Sequence, residues 1–237
     1  MRILIIIPAY NEEASLESVI YGIKQHCSGC DYVVINDCST DSTTYLCRKM
    51  GFNHITLPIN LGIGGAVQCG YMYAMENDYD FAIQIDGDGQ HDPSFVEELL
   101  APLRSGEADL SIGSRFLKKQ GYQSSFFRRC GILLIKHVIK LCCGVSVLDT
   151  TSGFRAANKH LIRLYADEYA HDYPEPEAIV AAILSGYRVK EVPVSMNERQ
   201  GGKSSIDLLR AVYYMVKVPI SLVIYKLSVG KSKKIEV

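Results

Sequence analysis

The 237 residues suffice for one large domain or a domain with an appendage, and 48% hydrophobic residues are enough for a complete core. A formal net charge of −1 excludes the basic footprint of a nucleic-acid binder. Eight cysteines at irregular spacing, in a chain that runs from Met1 straight into an apolar strand and a motif, point to free thiols on a cytosolic face. Cys27 and Cys30 have metal-ligand spacing, but no second pair or histidine partner follows, which favours a structural role.

Residues 2–7 read as a buried first strand, apolar from Ile3 to Ile7. Pro8, Tyr10, Asn11 and Glu12 follow, and Leu16, Val19, Ile20 and Ile23 predict a helix over about 12–25. Ligands of open α/β sheets bind outside the carboxyl ends of the strands, which puts Tyr10, Asn11 and Glu12 in a candidate site. An N-capped helix start accounts for Asn11 and the acids after it equally well. Residues 32–36 are a second strand ending in Asp37, and the helix after it, to about Met50, is capped by Thr40 or Asp41. After a short strand at 54–57, the stretch from Asn60 to Ala66, with Gly62, opens a helix to about Asn77. A glycine-rich turn of this kind exposes N–H groups to a phosphate or sugar, or permits close helix packing. Its spacing is neither that of a dinucleotide fingerprint nor that of a P-loop.

Residues 81–85 are a buried strand that runs into Asp86-Gly87-Asp88-Gly89-Gln90-His91-Asp92. Two carboxylates two residues apart, hinged on glycines, can converge on one hard cation. Magnesium takes one or two carboxylates plus phosphate oxygens and waters, and Gln90 offers a further oxygen. A plain polar turn is the alternative. Pro93 and Ser94 start a helix to about Leu103, and a strand over 108–112 leads to Arg115, which faces a diphosphate or solvent. Four strand ends thus bring Tyr10/Asn11/Glu12, Asp37, Asp86/Asp88 and Arg115 to one sheet edge.

The second half begins with a largely apolar helix over 126–143, introduced by Arg128 and Arg129. An extended run over 147–155 carries Asp149 and Arg155, and a helix spans about 159–169. Glu175 and Glu177 open the next helix, to Gly186, either as first-turn acids favoured by the dipole or as acceptor-side groups. A last strand over 187–196 leads to a polar loop in which Arg199 and Lys203 are cations for a phosphate-bearing ligand. Residues 206–229 are apolar and helical in tendency, interrupted by Lys217 and Pro219, and shorter than the ~20 uninterrupted apolar residues of a spanning helix. With Tyr213, Tyr214 and Tyr225 this segment suits a helix lying in a membrane interface, or one docked on the domain or a partner. The expected division is a catalytic domain over 1–205 and an amphipathic helix with a basic tail over 206–237.

The ordered set Pro8-Ala9-Tyr10-Asn11-Glu12, Asn36-Asp37-Cys38-Ser39-Thr40-Asp41, Asn60–Ala66, Asp86–Pro93, Gly113-Ser114-Arg115 and Thr151-Ser152-Gly153-Phe154-Arg155 resembles family 2 glycosyltransferases of the GT-A fold. The similarity is greatest to the dolichol-phosphate mannose synthase and bacterial polyprenyl-phosphate glycosyltransferase branch. It implies an α/β fold with a Rossmann-like, mostly parallel mixed sheet flanked by helices. It also implies inverting transfer from a UDP-, GDP- or dTDP-linked sugar with Mg²⁺ or Mn²⁺. By the same resemblance Pro8, Tyr10, Asn11, Glu12, Asp37 and Gly62 hold the nucleotide, while Asp86, Asp88 and Gln90 hold the metal on the diphosphate. Arg115 and Arg155 then address phosphates, Asp149 is the candidate base or acceptor-orienting group, and Arg128, Glu175, Glu177, Arg199 and Lys203 form the acceptor and phosphate loop region.

The implied acceptor is a polyprenyl phosphate or a lipid-linked glycan in cell-surface polysaccharide synthesis, at the inner face of the plasma membrane. Because the chain ends in one interrupted apolar helix, a separate small membrane subunit is a further expected partner. The competing readings are a sugar nucleotidyltransferase, disfavoured by the first loop, and a non-catalytic scaffold subunit with the same fold.

Overall fold

The computed structural model describes residues 1–117, 126–170, 173–197 and 208–235. Strands β1 (Ile3–Ala9), β2 (Asp31–Asn36), β3 (His54–Thr56) and β4 (Phe81–Gln84) alternate with helices α1 (Leu16–His26), α2 (Thr43–Met50) and α3 (Gly62–Glu76). A short 3₁₀ turn at Pro93–Phe95 leads into α4 (Val96–Arg104), followed by β5 (Leu110–Ser114), α5 (Phe126–Cys143) and β6 (Arg155–Asn158). The chain closes with α6 (Lys159–Asp167), α7 (Pro174–Leu184), β7 (Val189–Pro193) and α8 (Leu208–Ile235).

The described strands form one seven-stranded sheet in the order β3-β2-β1-β4-β6-β5-β7. β1 to β4 are mutually parallel, β5 is parallel to β7, and β6 runs antiparallel to both β4 and β5. The carboxyl ends of six strands therefore share one edge, and the amino end of β6 joins them there. Gln84 at the end of β4 pairs with Arg155 at the start of β6.

β1 is buried throughout because both sheet faces are covered by helices, as a parallel arrangement requires. Leu4 and Ile6 face a core shared with α3, α5, α6, α7 and α8. Ile3, Ile5 and Ile7 face the opposite core, under α1, α2 and α4. Helix α3 lies close on β1 because Gly70 has no side chain; a Cβ there would stand 2.2 Å from Ile6 Cγ2.

The largest departure from the sequence expectation is β6. Arg155-Ala156-Ala157-Asn158 lacks the β-branched or aromatic content of a strand, yet it sits between β4 and β5. Its extended form is imposed by two flanking ladders, a tertiary influence that local propensity does not register. Helix α1 begins at Leu16 rather than near Glu12, leaving Tyr10, Asn11 and Glu12 in a loop, and Gly113 and Ser114 belong to β5. Helix α8 docks on α5 and α7 and sends Val218 and Leu222, both fully buried, into the larger core. Its opposite face leaves Val216, Ile220, Ile224 and Leu227 more than half exposed. Among the described residues, no helix is long and apolar enough to cross a membrane.

Candidate active site

The loops after β1, β2 and β4 are fastened to one another before any ligand arrives. The Asp37 N–H donates to the Ala9 carbonyl at 2.9 Å, and the Gly87 N–H to the Pro8 carbonyl at 3.2 Å. Asn11, in the left-handed region at φ 57°, turns its Oδ1 to the N–H groups of Thr40 at 2.8 Å and Asp41 at 3.3 Å. Asparagine tolerates that conformation better than most residues. The Glu12 N–H donates to Thr43 Oγ1 at 2.9 Å, and the fully buried Ser15 hydroxyl lies within hydrogen-bond distance of both the Glu12 carboxylate and the Gly87 carbonyl. Tyr10 stands 47% exposed on the rim. Asp41 takes the Thr43 and Glu13 N–H groups, and the N-cap of α2 is Ser42 rather than Thr40 or Asp41.

Asp37 corrects the picture of the glycine-rich turn as an open anion cradle. Its carboxylate accepts from the N–H of Leu61 at 2.7 Å and of Gly62 at 2.9 Å. The positive end of α3 is thus already matched by an internal negative charge.

The Asp86–Asp88 turn adjoins this nest. Asp86 is partly exposed and takes the Gln84 side-chain amide at 2.8 Å. Asp88, 4% exposed, accepts the Gln90 N–H at 2.9 Å. The Gln90 carbonyl in turn receives the Asn197 N–H at 2.9 Å, which ties the turn to the segment after β7. Gly153 lies directly against the turn: a Cβ there would meet Gln84 Nε2 at 2.8 Å and Asp86 Oδ2 at 3.1 Å. Two carboxylates two residues apart on one turn, which Gly153 approaches without a side chain, fit a divalent cation that would take its remaining ligands from a diphosphate and water. No group of three or more His, Cys, Asp or Glu residues suited to a metal occurs among the described residues.

The assignments on the far side of the sheet need correction. Asp149, expected as a base or an acceptor-orienting group, is fully buried, and both its oxygens are taken by Arg115, through Nε and Nη2 at 2.7 Å each, which speaks against the base. Arg115, 7% exposed, also donates to Thr151 Oγ1 at 3.0 Å. A carboxylate sealed by a bidentate guanidinium has no path to an acceptor proton, so Asp149 orients Arg115. The Leu148 and Asp149 N–H groups both donate to the Glu191 carboxylate at 2.8 Å, which pins this turn to β7.

Arg155, expected to meet a phosphate, is fully buried instead. It donates to the Ser152 and Glu175 carbonyls and lies beside Tyr71, Tyr165 and Tyr169. It braces the Asp149–Gly153 turn against the start of α7. Burial pushes the Tyr71 hydroxyl up to about 12, against the opposing effect of the Arg155 charge, so it stays protonated.

Glu175 and Glu177 stand in the first turn of α7, and the Glu177 carboxylate takes the Ser221 hydroxyl of α8 at 2.8 Å. Arg128 lies in α5 with its side chain outside the description, and Arg199 and Lys203 lie outside the described residues. The structure therefore brings together Pro8, Tyr10, Asn11, Glu12, Asp37, Gly62, Asp86, Asp88 and Gln90, with Arg115 joined through the Asp149–Gly153 turn. Sequence reasoning gave no role to Gln84, His91 or Gly153. Gln84, a lone amide in an apolar strand two residues before an aspartate, was the one readable signal.

Residues 4–164 match the family model described as Glycosyl transferase family 2, and the chain belongs to that family. It is 27% identical to the polyprenol monophosphomannose synthase of Mycolicibacterium smegmatis, covering 87% of this chain and 81% of that one. It is 29% identical to the undecaprenyl-phosphate mannosyltransferase of Micrococcus luteus, covering 87% and 88%. The glucosyl-3-phosphoglycerate synthase of Mycobacterium tuberculosis, in complex with Mn²⁺, uridine diphosphate and glucosyl-3-phosphoglycerate, superposes with a TM-score of 0.69 at 23% identity over 95% of this chain and 79% of that one. The chain is thus a family 2 glycosyltransferase of the GT-A fold, with relatives in the polyprenyl-phosphate branch.

Proposed function

We propose that this enzyme transfers a sugar, with inversion, from a nucleoside diphosphate to the phosphate of a polyprenyl lipid at a membrane surface. The observation that carries this reading is the Asp86–Asp88 turn locked against the β1 and β2 loops, in a chain similar over most of its length to two lipid-phosphate mannosyltransferases. In this reading Pro8, Tyr10, Asn11, Glu12 and Asp37 hold the nucleoside. Asp86 and Asp88, with Gln90 beside them, hold Mg²⁺ or Mn²⁺. The metal offsets the negative charge that develops on the departing diphosphate.

The other steps fall to the chain's own groups. Among the described residues the side-chain bonds of Arg115, to Asp149 and Thr151, use Nε and Nη2, and in this reading Nη1 is the edge that meets a phosphate. An acceptor phosphate oxygen attacks the anomeric carbon from the side opposite the diphosphate. The new C–O bond forms as the bond to the diphosphate breaks, and the electron pair leaves with the diphosphate. A phosphate acceptor is already an anion and needs positioning rather than a base, which agrees with Asp149 being committed to Arg115. A glycan hydroxyl acceptor needs a base and is the weaker reading.

The exposed apolar stripe of α8 (Val216, Ile220, Ile224 and Leu227) is assigned to a lipid surface. Lys226, whose ammonium reaches the Leu141 carbonyl of α5, sits at its margin, where a long cationic side chain can bury its stem and keep its charge in water.

The test is a thermal-shift panel of UDP, GDP and dTDP, each with and without Mn²⁺, followed by transfer from the matching sugar donor to undecaprenyl phosphate. One nucleotide raising the melting temperature only with metal, and lipid-linked sugar as product, is the expected result. No shift with any nucleotide, or donor turnover without lipid product, overturns the reading.

A further inference from the structure

His91 follows the candidate metal carboxylates, and nothing above gives it a task. It is 5% exposed. The Asp86 N–H donates to its Nδ1 at 3.0 Å, so the proton of the neutral ring lies on Nε2. Nε2 lies 3.7 Å from Asp86 Oδ2, beyond hydrogen-bond distance. The ring stacks on the buried Phe154, with centroids 4.9 Å apart and planes 12° from parallel, and the His91 backbone forms an isolated bridge to Met196. The other carboxylate oxygen of Asp86 takes the Gln84 amide. Asp86 is thus held at its peptide N–H by an imidazole whose plane is fixed by stacking, and at one carboxylate oxygen by Gln84.

We propose that His91 is a positioning residue that sets the backbone and carboxylate of Asp86 for the divalent cation. A surface aspartate rotates freely about χ1 and χ2 and must be ordered when the cation binds. Here Nδ1 fixes the peptide that carries the carboxylate, and the Gln84 amide holds one carboxylate oxygen. Groups standing behind a metal ligand in this way typically change metal affinity about 10–100-fold when removed. The inference rests on the metal assignment to Asp86 and adds a residue to it.

Two amides of the same chemistry separate positioning from packing. In His91→Asn the side-chain oxygen occupies the place of Nδ1 and keeps an acceptor for the Asp86 N–H. In His91→Gln the amide reaches the place of Nε2 and the Nδ1 acceptor is lost. Both lose the stacked ring, so both lower the melting temperature to a similar degree. Mn²⁺ binding is measured by the paramagnetic resonance signal of the free ion, with UDP, GDP or dTDP present, on the full-length chain. The expected result is that His91→Gln loses about tenfold or more in Mn²⁺ affinity while His91→Asn keeps most of it. Equal affinity in the two variants overturns the inference and leaves the metal assignment standing. A wild-type chain that takes up no Mn²⁺ with any of the three nucleotides overturns both.

Discussion

The two halves of the sheet handle their charges differently. Around β1, β2 and β4 the carboxylates of Asp37, Asp86 and Asp88 are held mainly by N–H groups of the backbone and of Gln84. Around β5, β6 and β7 a buried ion pair, Arg115 with Asp149, sits in a tied framework: Glu191 takes the backbone N–H groups of the turn that carries Asp149, and Arg155 is sealed among carbonyls and tyrosines. Backbone donors leave a carboxylate its charge and its remaining lone pairs, which suits a cation. Side-chain pairing satisfies the charge, which suits a scaffold. One sheet edge therefore carries a half built for binding and a half built largely for rigidity, with Arg115 as the point where they meet.

This contrast breaks most visibly at the Arg115–Asp149 pair. Removing one partner of a buried pair leaves the other charge without compensation, at a cost of about 3–5 kcal/mol. Asp149→Ala is therefore expected to lower unfolding stability in urea by that amount, and Arg115→Met/Asp149→Leu to recover most of it. Were Asp149 a base, Asp149→Asn would abolish turnover in a chain of unchanged stability, and that outcome would reverse the reading of the second half.

The next effect lies in the first half. Asp88→Asn keeps an oxygen for the Gln90 N–H but removes the charge. Transfer is expected to fall about 10²–10³-fold, the usual cost of removing one group that stabilises transition-state charge, with the melting temperature little changed. Unchanged turnover in this variant rules out the metal assignment.

The halves also differ in how far the sequence disclosed them. Parallel strands advertise themselves: the apolar runs ending in Pro8, Asp37 and Asp86 carry their polar residues at the carboxyl ends, where ligands of such sheets gather. Strand β6 carried no such mark, since two alanines between an arginine and an asparagine become a strand only through β4 and β5. Asp149 and Arg155 were legible as charged residues near the site but not as buried ones. Their partners, Arg115 for one and the carbonyls of Ser152 and Glu175 for the other, follow from the antiparallel turn that β6 creates. His91 was equally silent, because its neighbours Phe154 and Met196 come from the far half.

Helix α8 extends the comparison to the surface. Its Val218 and Leu222 face is buried in the core, whereas Ile220 and Ile224 point away from it. Burying one such side chain in lipid contributes about 1.5–3 kcal/mol, so a glutamate in place of either is expected to cut vesicle binding about tenfold or more. Co-sedimentation with phosphatidylglycerol-containing vesicles checks this for Ile220→Glu and Ile224→Glu. Donor hydrolysis without lipid should stay at the wild-type rate. Dimers that form without lipid and vanish in these variants would assign the stripe to a second copy of the chain instead.

The smallest effect sharpens the claim that the first half is organised before it binds. Asn11 is exposed, yet its side chain joins the β1 loop to the β2 loop through Thr40 and Asp41. Asn11→Ala loses these bonds and places alanine at φ 57°, for a combined cost of about 1–2 kcal/mol. Asn11→Gly loses the same bonds but accepts the conformation, so it should be the milder of the two in stability. The two variants should rank the other way in nucleotide affinity if loop order matters more than strain, because glycine frees the loop that alanine still restricts. Calorimetric titration with the nucleoside diphosphate alongside urea unfolding reads both orders. If stability and affinity fall in the same order, Asn11 acts through the folded state as a whole; if the orders cross, the β1 loop is held ready for the nucleotide by its own hydrogen bonds.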